Sequence, residues 1–142
     1  MRRKIKVIFA VVGFIVLSFW LEGWGANWKH TVENVFGDVI FIDMASRTRS
    51  SDNIVRVWVK LVYSQKSVLQ AVEETGKQEC RDVNHTLNLM EYDCRGKRSR
   101  ILSEHCFSKD DFILDNRIYS SPEWESTMQD SIWTSVLKAV CE

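Results

Sequence analysis

The sequence predicts an α+β domain: an antiparallel sheet of about six strands with a C-terminal amphipathic helix packed on one face, stapled by disulfides. Three observations carry this. Ile54–Tyr63 (IVRVWVKLVY) alternates in character at period 2. Ile132, Trp133, Val136, Leu137 and Val140 form one apolar stripe at the helical period. Cys80, Cys94, Cys106 and Cys141 follow an N-terminal segment laid out for export.

The N-terminal segment comes first because it changes the meaning of the rest. Arg2, Arg3, Lys4 and Lys6 precede an apolar run of 15 residues, Val7–Leu21, broken only by Gly13 and Ser18. A short stretch of small and polar residues follows. This is a signal-peptide layout over residues 1–25, with cleavage expected between Gly25 and Ala26, because Gly23 and Gly25 then take the positions that need small side chains. The alternative is an uncleaved anchor, but a spanning helix wants about 20 apolar residues. No cysteine near the cut offers a lipid attachment point. The whole chain has 19 basic and 19 acidic residues; without Arg2, Arg3, Lys4, Lys6 and Glu22, 15 basic face 18 acidic ones. That balance argues against nucleic acid as a partner, which calls for a basic stripe. The remaining length, 26–142, suits one domain.

Within that domain, Asn27–Phe36 carries Trp28, Val32 and Val35 among polar residues. Gly37-Asp38 marks a turn, and Val39–Asp43 (VIFID) reads as a strand. Ala45–Asn53 is polar and aperiodic, a loop holding Arg47 and Arg49. In Ile54–Tyr63, Val55, Val57, Val59 and Leu61 share the core face, while Arg56, Trp58 and Lys60 share the other. Trp58 between two cations is a candidate binding spot, or a ring covered by their aliphatic stems. Ser64–Lys77 turns helical through Val68, Leu69 and Val72 and stops at Gly76. Thr86–Asp93 returns to strand. Arg95-Gly96 suggests a two-residue turn, with Lys97–Cys106 as the returning strand. Asp111–Asp115 (DFILD) reads as a further strand. Ile118–Pro122 leads to the final helix, which Asp130 or Ser131 can cap.

Four cysteines in an oxidising compartment read as two disulfides, with three pairings open. The hairpin places Cys94 at its tip and Cys106 at its open end, with Cys80 five residues before the position opposite Cys106. That favours Cys94 with Cys141 and Cys80 with Cys106, worth about 4 and 3.5 kcal/mol in loop-closure entropy.

Trp28, VIFID, IVRVWVKLVYS, the acidic EYDC (Glu91–Cys94) followed by Arg98 and Arg100, then Trp124, Ser131 and the closing Val140-Cys141 resemble, in order and spacing, the surface-adhesin protein E-like domain family. The resemblance spans essentially the whole mature chain. It implies an antiparallel sheet of about six strands with the C-terminal helix across it, and a bond between Cys94 and Cys141. Adhesion to host matrix proteins is its functional implication. Two departures are visible: Gln129-Asp130-Ser131 stands where a proline and a small residue often precede the helix serine, and Cys80 and Cys106 are additions to the common pair.

Catalytic and metal signatures are weak by comparison. His30, His85 and His105 belong to no C-x-x-C or H-x-x-x-H pattern, so no metal and no cofactor is expected. Glu91 and Asp93 fall on one strand face and are expected to pair with Arg98 and Arg100 across the hairpin. Asn84-His85-Thr86 is a glycosylation sequon without further support. The reading is an exported, non-enzymatic binding domain of surface-adhesin type at the bacterial cell envelope, in the periplasm, on the surface or secreted. Its partner is a protein or extracellular ligand, and edge strands could join two copies. Membrane contact is confined to the N-terminal segment. The alternatives are a periplasmic thiol or other enzyme using Cys80 or Cys106, and an envelope subunit held by its N-terminal helix.

Overall fold

A meander, in which each long strand pairs with its neighbours in sequence, organises the molecule. The computed structural model describes residues 25–76, 78–127 and 131–142, without the side chains of Glu79 and Cys80. The expected export segment therefore lies outside the described residues except for Gly25. The elements are β1 (Trp28–Glu33), β2 (Val39–Asp43), β3 (Thr48–Arg49), β4 (Ile54–Val62), α1 (Gln65–Thr75), a 3-10 turn (Gln78–Asp82), β5 (Val83–Asp93), β6 (Arg98–Ser108), β7 (Ile113–Ile118), β8 (Glu125–Ser126) and α2 (Ile132–Cys141). Six strands run in the order β1-β2-β4-β5-β6-β7, all pairs antiparallel, while the two-residue strands β3 and β8 attach to β4 and β6. Among the described residues, no helix is long and apolar enough to cross a membrane.

Alternation in β4 sorts the two sides of the sheet. Val55, Val57 and Val59 are fully buried, and register places Val55 beside Tyr92, Val57 beside Met90 and Val59 beside Ile42. Ile40 and Ile42 of β2 complete this covered face, and Val136, Leu137 and Val140 of α2 lie on it. Each such aliphatic side chain contributes about 1.5–3 kcal/mol on leaving water. Tyr92 is buried with them and donates from its hydroxyl to Met90 Sδ at 3.3 Å. Burial pushes its phenol well above the usual range.

Helix α2 is short, so its packing holds it more than its propensity does. The stripe is narrower than the sequence suggests: Trp133 is 36 % exposed. Ile132, Val136 and Val140 follow one another at intervals of four, and Trp133 stands one step round the first turn, where the helix overhangs the core. Ser131 takes the N-cap position in extended backbone but makes no side-chain cap bond to the first turn; Asp130 lies outside the described residues. The far end is secured twice. Cys141 is bonded to Cys94, Cα to Cα 5.7 Å, and Arg49 donates to the Cys141 carbonyl. A cation at that end also suits the helix dipole. The segment read as a plain loop thus supplies both β3 and a C-terminal cap.

Helix α1 starts where Ser64 Oγ accepts from Ser67 N–H at 3.1 Å, and stops at Gly76, whose φ of 68° belongs to the left-handed region. Val72 is buried, but Leu69 is half exposed, so the apolar face is thinner than expected. Asp38 ties α1 to the β1–β2 turn. Its carboxylate accepts from Ser64 N–H at 2.7 Å, Ser67 Oγ at 2.8 Å and Asn34 Nδ2 at 2.9 Å.

Three expectations about the second half need correction. The β5–β6 turn is not two residues but the four Cys94–Lys97, because Asp93 accepts from the Arg95 and Gly96 N–H groups and Lys97 takes the left-handed backbone, φ 51°. Gly96 is needed there, since a Cβ would lie 2.5 Å from Asp93 Oδ2. Register from the tip holds to Met90–Ile101, then a bulge passes Leu102, so Cys106 faces Thr86 rather than residue 85. The strand expected at Asp111–Asp115 runs from Ile113 to Ile118 instead, because Ser108 Oγ and the Asp111 backbone, φ 62°, extend the turn. The pairing of Cys80 with Cys106 lies outside the described residues.

Two stability outcomes follow. Breaking Cys94–Cys141, a sequence separation of 47, by Cys141→Ser lowers stability by about 4 kcal/mol in urea unfolding of oxidised protein. An unchanged midpoint would show that α2 holds without its clamp. For Asp38, burial raises the carboxyl pKa, but hydrogen bonds from Ser64, Asn34 and Ser67 outweigh it and leave the value below 3.8. A depressed carboxyl stabilises the fold above its unfolded pKa and loses that effect as pH falls through the folded one. Asp38→Ala is therefore expected to cost about 2 kcal/mol at pH 7. The gap from the native chain should shrink below about pH 4; a gap that stays constant down to pH 2 would contradict the carboxylate's role.

Candidate functional site

The two sides of the sheet differ in what covers them. Residues of odd number in β5 and even number in β4 face away from α2, and no described helix packs over them. Register builds this side in rows. One crosses six strands through His30, Phe41, Lys60, Leu87, His105 and Asn116. The next joins Trp58, Leu89, Ser103 and Ile118, and a third joins Thr48, Arg56, Glu91 and Arg100. Five strand spacings make this face about 24 Å wide.

All three residues singled out in β4 lie on it. Arg56 is exposed; Trp58 and Lys60 are half-buried. The cations do not cover the Trp58 ring. Lys60 Nζ stands 5.9 Å from the Trp28 ring centroid, and Arg56 turns to Glu91 at 3.2 Å. Trp58 instead has His105 beside it, ring centroids 5.8 Å apart. Of these contacts only Arg56 with Glu91 joins directly opposed residues; Lys60 with Trp28 and Trp58 with His105 each reach diagonally across one intervening strand.

Glu91 is the electrostatic centre. It is 8 % exposed and accepts from Arg100 at 2.8 Å as well as from Arg56. Asp93 pairs with Arg98 at 2.9 Å. The expected acid–arginine pairs across the hairpin are therefore both present. Gly96 N–H and Arg98 hold the Asp93 carboxyl below its usual range. Arg98 and Arg100 also lie over Trp124, at 5.0 and 4.3 Å, which the short pairing of β8 with β6 brings to the edge of the face. Such contacts are worth about 0.5–2 kcal/mol depending on solvent exclusion.

The histidines share the face without forming a cluster. His30 meets Phe41 edge-on, His105 adjoins Trp58, and His85 stacks on Phe107 at 5.0 Å. Burial, and then the charge of Lys60, lower the His85 pKa; Asp111 opposes them. Among the described residues, no three His, Cys, Asp or Glu side chains gather as a metal site. Trp28, Phe41, His105 and Trp124 were not singled out by sequence. Their joint position depends on cross-strand register, which only Trp28 and Trp124, as members of the resemblance, hinted at.

The covered side offers a different feature, a cleft of about 650 Å³ between α1 and β5–β7, with Tyr63, Val68, Thr86, Glu104, Cys106 and Leu114 in its wall. Burial raises the Tyr63 phenol pKa, and hydrogen bonding to Thr86 opposes the shift. Cys94 and Cys141 are bonded and so are not nucleophiles. Gly25 and Ala26 are exposed just ahead of β1.

The fold has known counterparts. Two crystal forms of Haemophilus influenzae protein E superpose with TM-scores of 0.51 and 0.52 at 12% identity. In each case 80% of this chain is covered, with 83% and 86% of theirs. No curated protein is significantly similar to it in sequence. The profile of the family described as surface-adhesin protein E matches residues 28–142, almost all of the described sheet and helix. With the meander, the helix bonded across it and that match in place, the chain belongs to the surface-adhesin protein E family.

Proposed function

We propose that the protein is an exported, non-enzymatic binding domain at the bacterial cell envelope, and that it engages a protein partner through the uncovered sheet face. The observation that supports this best is the composition of that face. Trp28, Phe41, Trp58 and Trp124 stand among Arg56, Lys60, Arg98 and Arg100, while the acids between them, Glu91 and Asp93, are buried and paired. Aromatic rings and guanidinium groups are the side chains most often found as anchors in protein interfaces. Their fixed cross-strand contacts reduce the ordering cost of binding. Family membership supports an adhesin-type role, and the basic and apolar start of the chain supports export with cleavage between Gly25 and Ala26. The surface, rather than the periplasm, is the compartment where such a face would meet a host protein.

The test combines location with loss of binding. Labelling of intact cells should reach a tagged chain. The purified mature domain should bind at least one member of a panel of immobilised host matrix proteins. Trp58→Ala and the double change Arg56→Glu with Lys60→Glu should each weaken that binding tenfold or more. Arg56→Glu sets a carboxylate opposite Glu91 and lowers the melting temperature, so binding is compared well below the melting point of each variant, with folding checked by circular dichroism. A chain confined to the periplasm would end the adhesin reading. Binding unaffected by either variant would move the site elsewhere.

A further inference from the structure

Two rows on the covered side change character as they cross the sheet. One begins at Val59 and passes through Asn88 and Glu104 to Arg117; the next begins at Leu61 and passes through Thr86 and Cys106 to Asp115. In β4 these positions hold aliphatic side chains of the core or packed against it, and from β5 onward they are polar. α2 packs on the apolar part. The polar part borders the cleft of about 650 Å³, to which Val68 and Ala71 of α1, with Val83 and Leu114, give an apolar wall. That volume suits a small organic ligand, and an apolar wall with a few polar groups is the usual make-up of such a site.

The polar groups here are short of donors. Asn88 is 5 % exposed; its Nδ2 donates to Thr86 Oγ1 at 3.4 Å, and its Oδ1 accepts from nothing among the described residues. Buried amide oxygens ordinarily have a donor. Asn88 stands opposite Glu104, whose half-buried side chain lines the cleft. Among the described residues neither Glu104 nor Asp82, also in the wall, takes part in an ion pair. Asp38 is engaged by Ser64, Ser67 and Asn34. Arg117, though opposite Glu104 in register, forms its ion pair with Asp115 at 3.0 Å. We infer that the cleft binds a small organic cation, a primary amine carried on a hydrocarbon body. An ammonium brings three donors and a positive charge to a wall with acceptors in excess. Glu104 supplies the counter-charge in a half-buried place, where salt screens it less than at the surface. Asp82, exposed at the rim, adds to the field that draws a cation in. The hydrocarbon lies along Val68, Ala71 and Leu114 and leaves water there. A carboxylate of the same shape meets like charge at Glu104 and Asp82. The cleft is on the side of the sheet away from Trp58 and does not depend on the partner proposed for that face.

Calorimetric titration of the oxidised chain from Ala26 onward with phenylbutylamine tests this, with phenylbutyrate as the charge-reversed control. The amine should saturate a single site per chain, and the acid should bind at least tenfold more weakly. Glu104→Gln keeps the size of the side chain and removes its charge; it should weaken the amine at least tenfold and leave the melting temperature in place. Ala71→Leu, a good helix former that fills the cleft from α1, should abolish binding. Trp58→Ala should leave the affinity for the amine unchanged. No saturation by the amine up to about 10 mM overturns the proposal. Equal binding of amine and acid overturns it too, as does undiminished affinity in Glu104→Gln or in folded Ala71→Leu. Loss of binding in Trp58→Ala would place the amine on the other face and equally overturn the assignment to the cleft.

Discussion

One short helix covers a sheet of six main strands, and that shortage of cover shapes the rest of the molecule. α2 has ten residues, about 15 Å of length, and can shield only the part of the sheet where Ile40, Ile42, Val55, Val57, Met90 and Tyr92 meet. So short a helix does not persist in water by itself. Its fixation at the C-terminal end, through Cys94 and Arg49, therefore decides whether that face has a core at all. The bond is well placed for this. Cys94 follows β5 directly, so it joins the helix end to the strand that carries Met90 and Tyr92, near the centre of the apolar cluster.

Among the described residues no helix covers the opposite face, which must be compatible with water by other means. It answers with long side chains whose charged ends are paired and whose stems lie over rings. Glu91 serves two arginines, and Trp124 lies under two. A carboxylate as buried as Glu91 would be costly alone, and its two partners make it tolerable. The outcome is a surface that is stable without a cover, yet rich in the side chains that interfaces use. An adhesin-like role needs no further machinery than this asymmetry, and the fold alone would not have argued for it.

Much of this was legible in the sequence, and the failures have physical causes. β4 and α2 were readable because their periods, 2 and 3.6, persist for two or more repeats. The acid–arginine ladder was readable because a tight turn fixes register near its tip. Farther from the tip, the bulge at Leu102 shifted the register by one residue, and no composition rule announces a bulge at a leucine. β1 gave no clear period because its own register slips between His30 and Val32. β7 was misplaced because DFILD is the more apolar run, while its strand is held by backbone pairing and leaves every side chain exposed. Arg49 looked like any loop cation; it donates to Asn53 nearby, but its second acceptor, the Cys141 carbonyl, is supplied only by the return of the chain 92 residues later.

The two edges of the meander are unequal. β1 has α2 packed against it, so a strand added there would have to fit beside the helix. Among the described residues β7 has no helix packed against it in this way, and the charged run Lys109-Asp110-Asp111 lies just ahead of it.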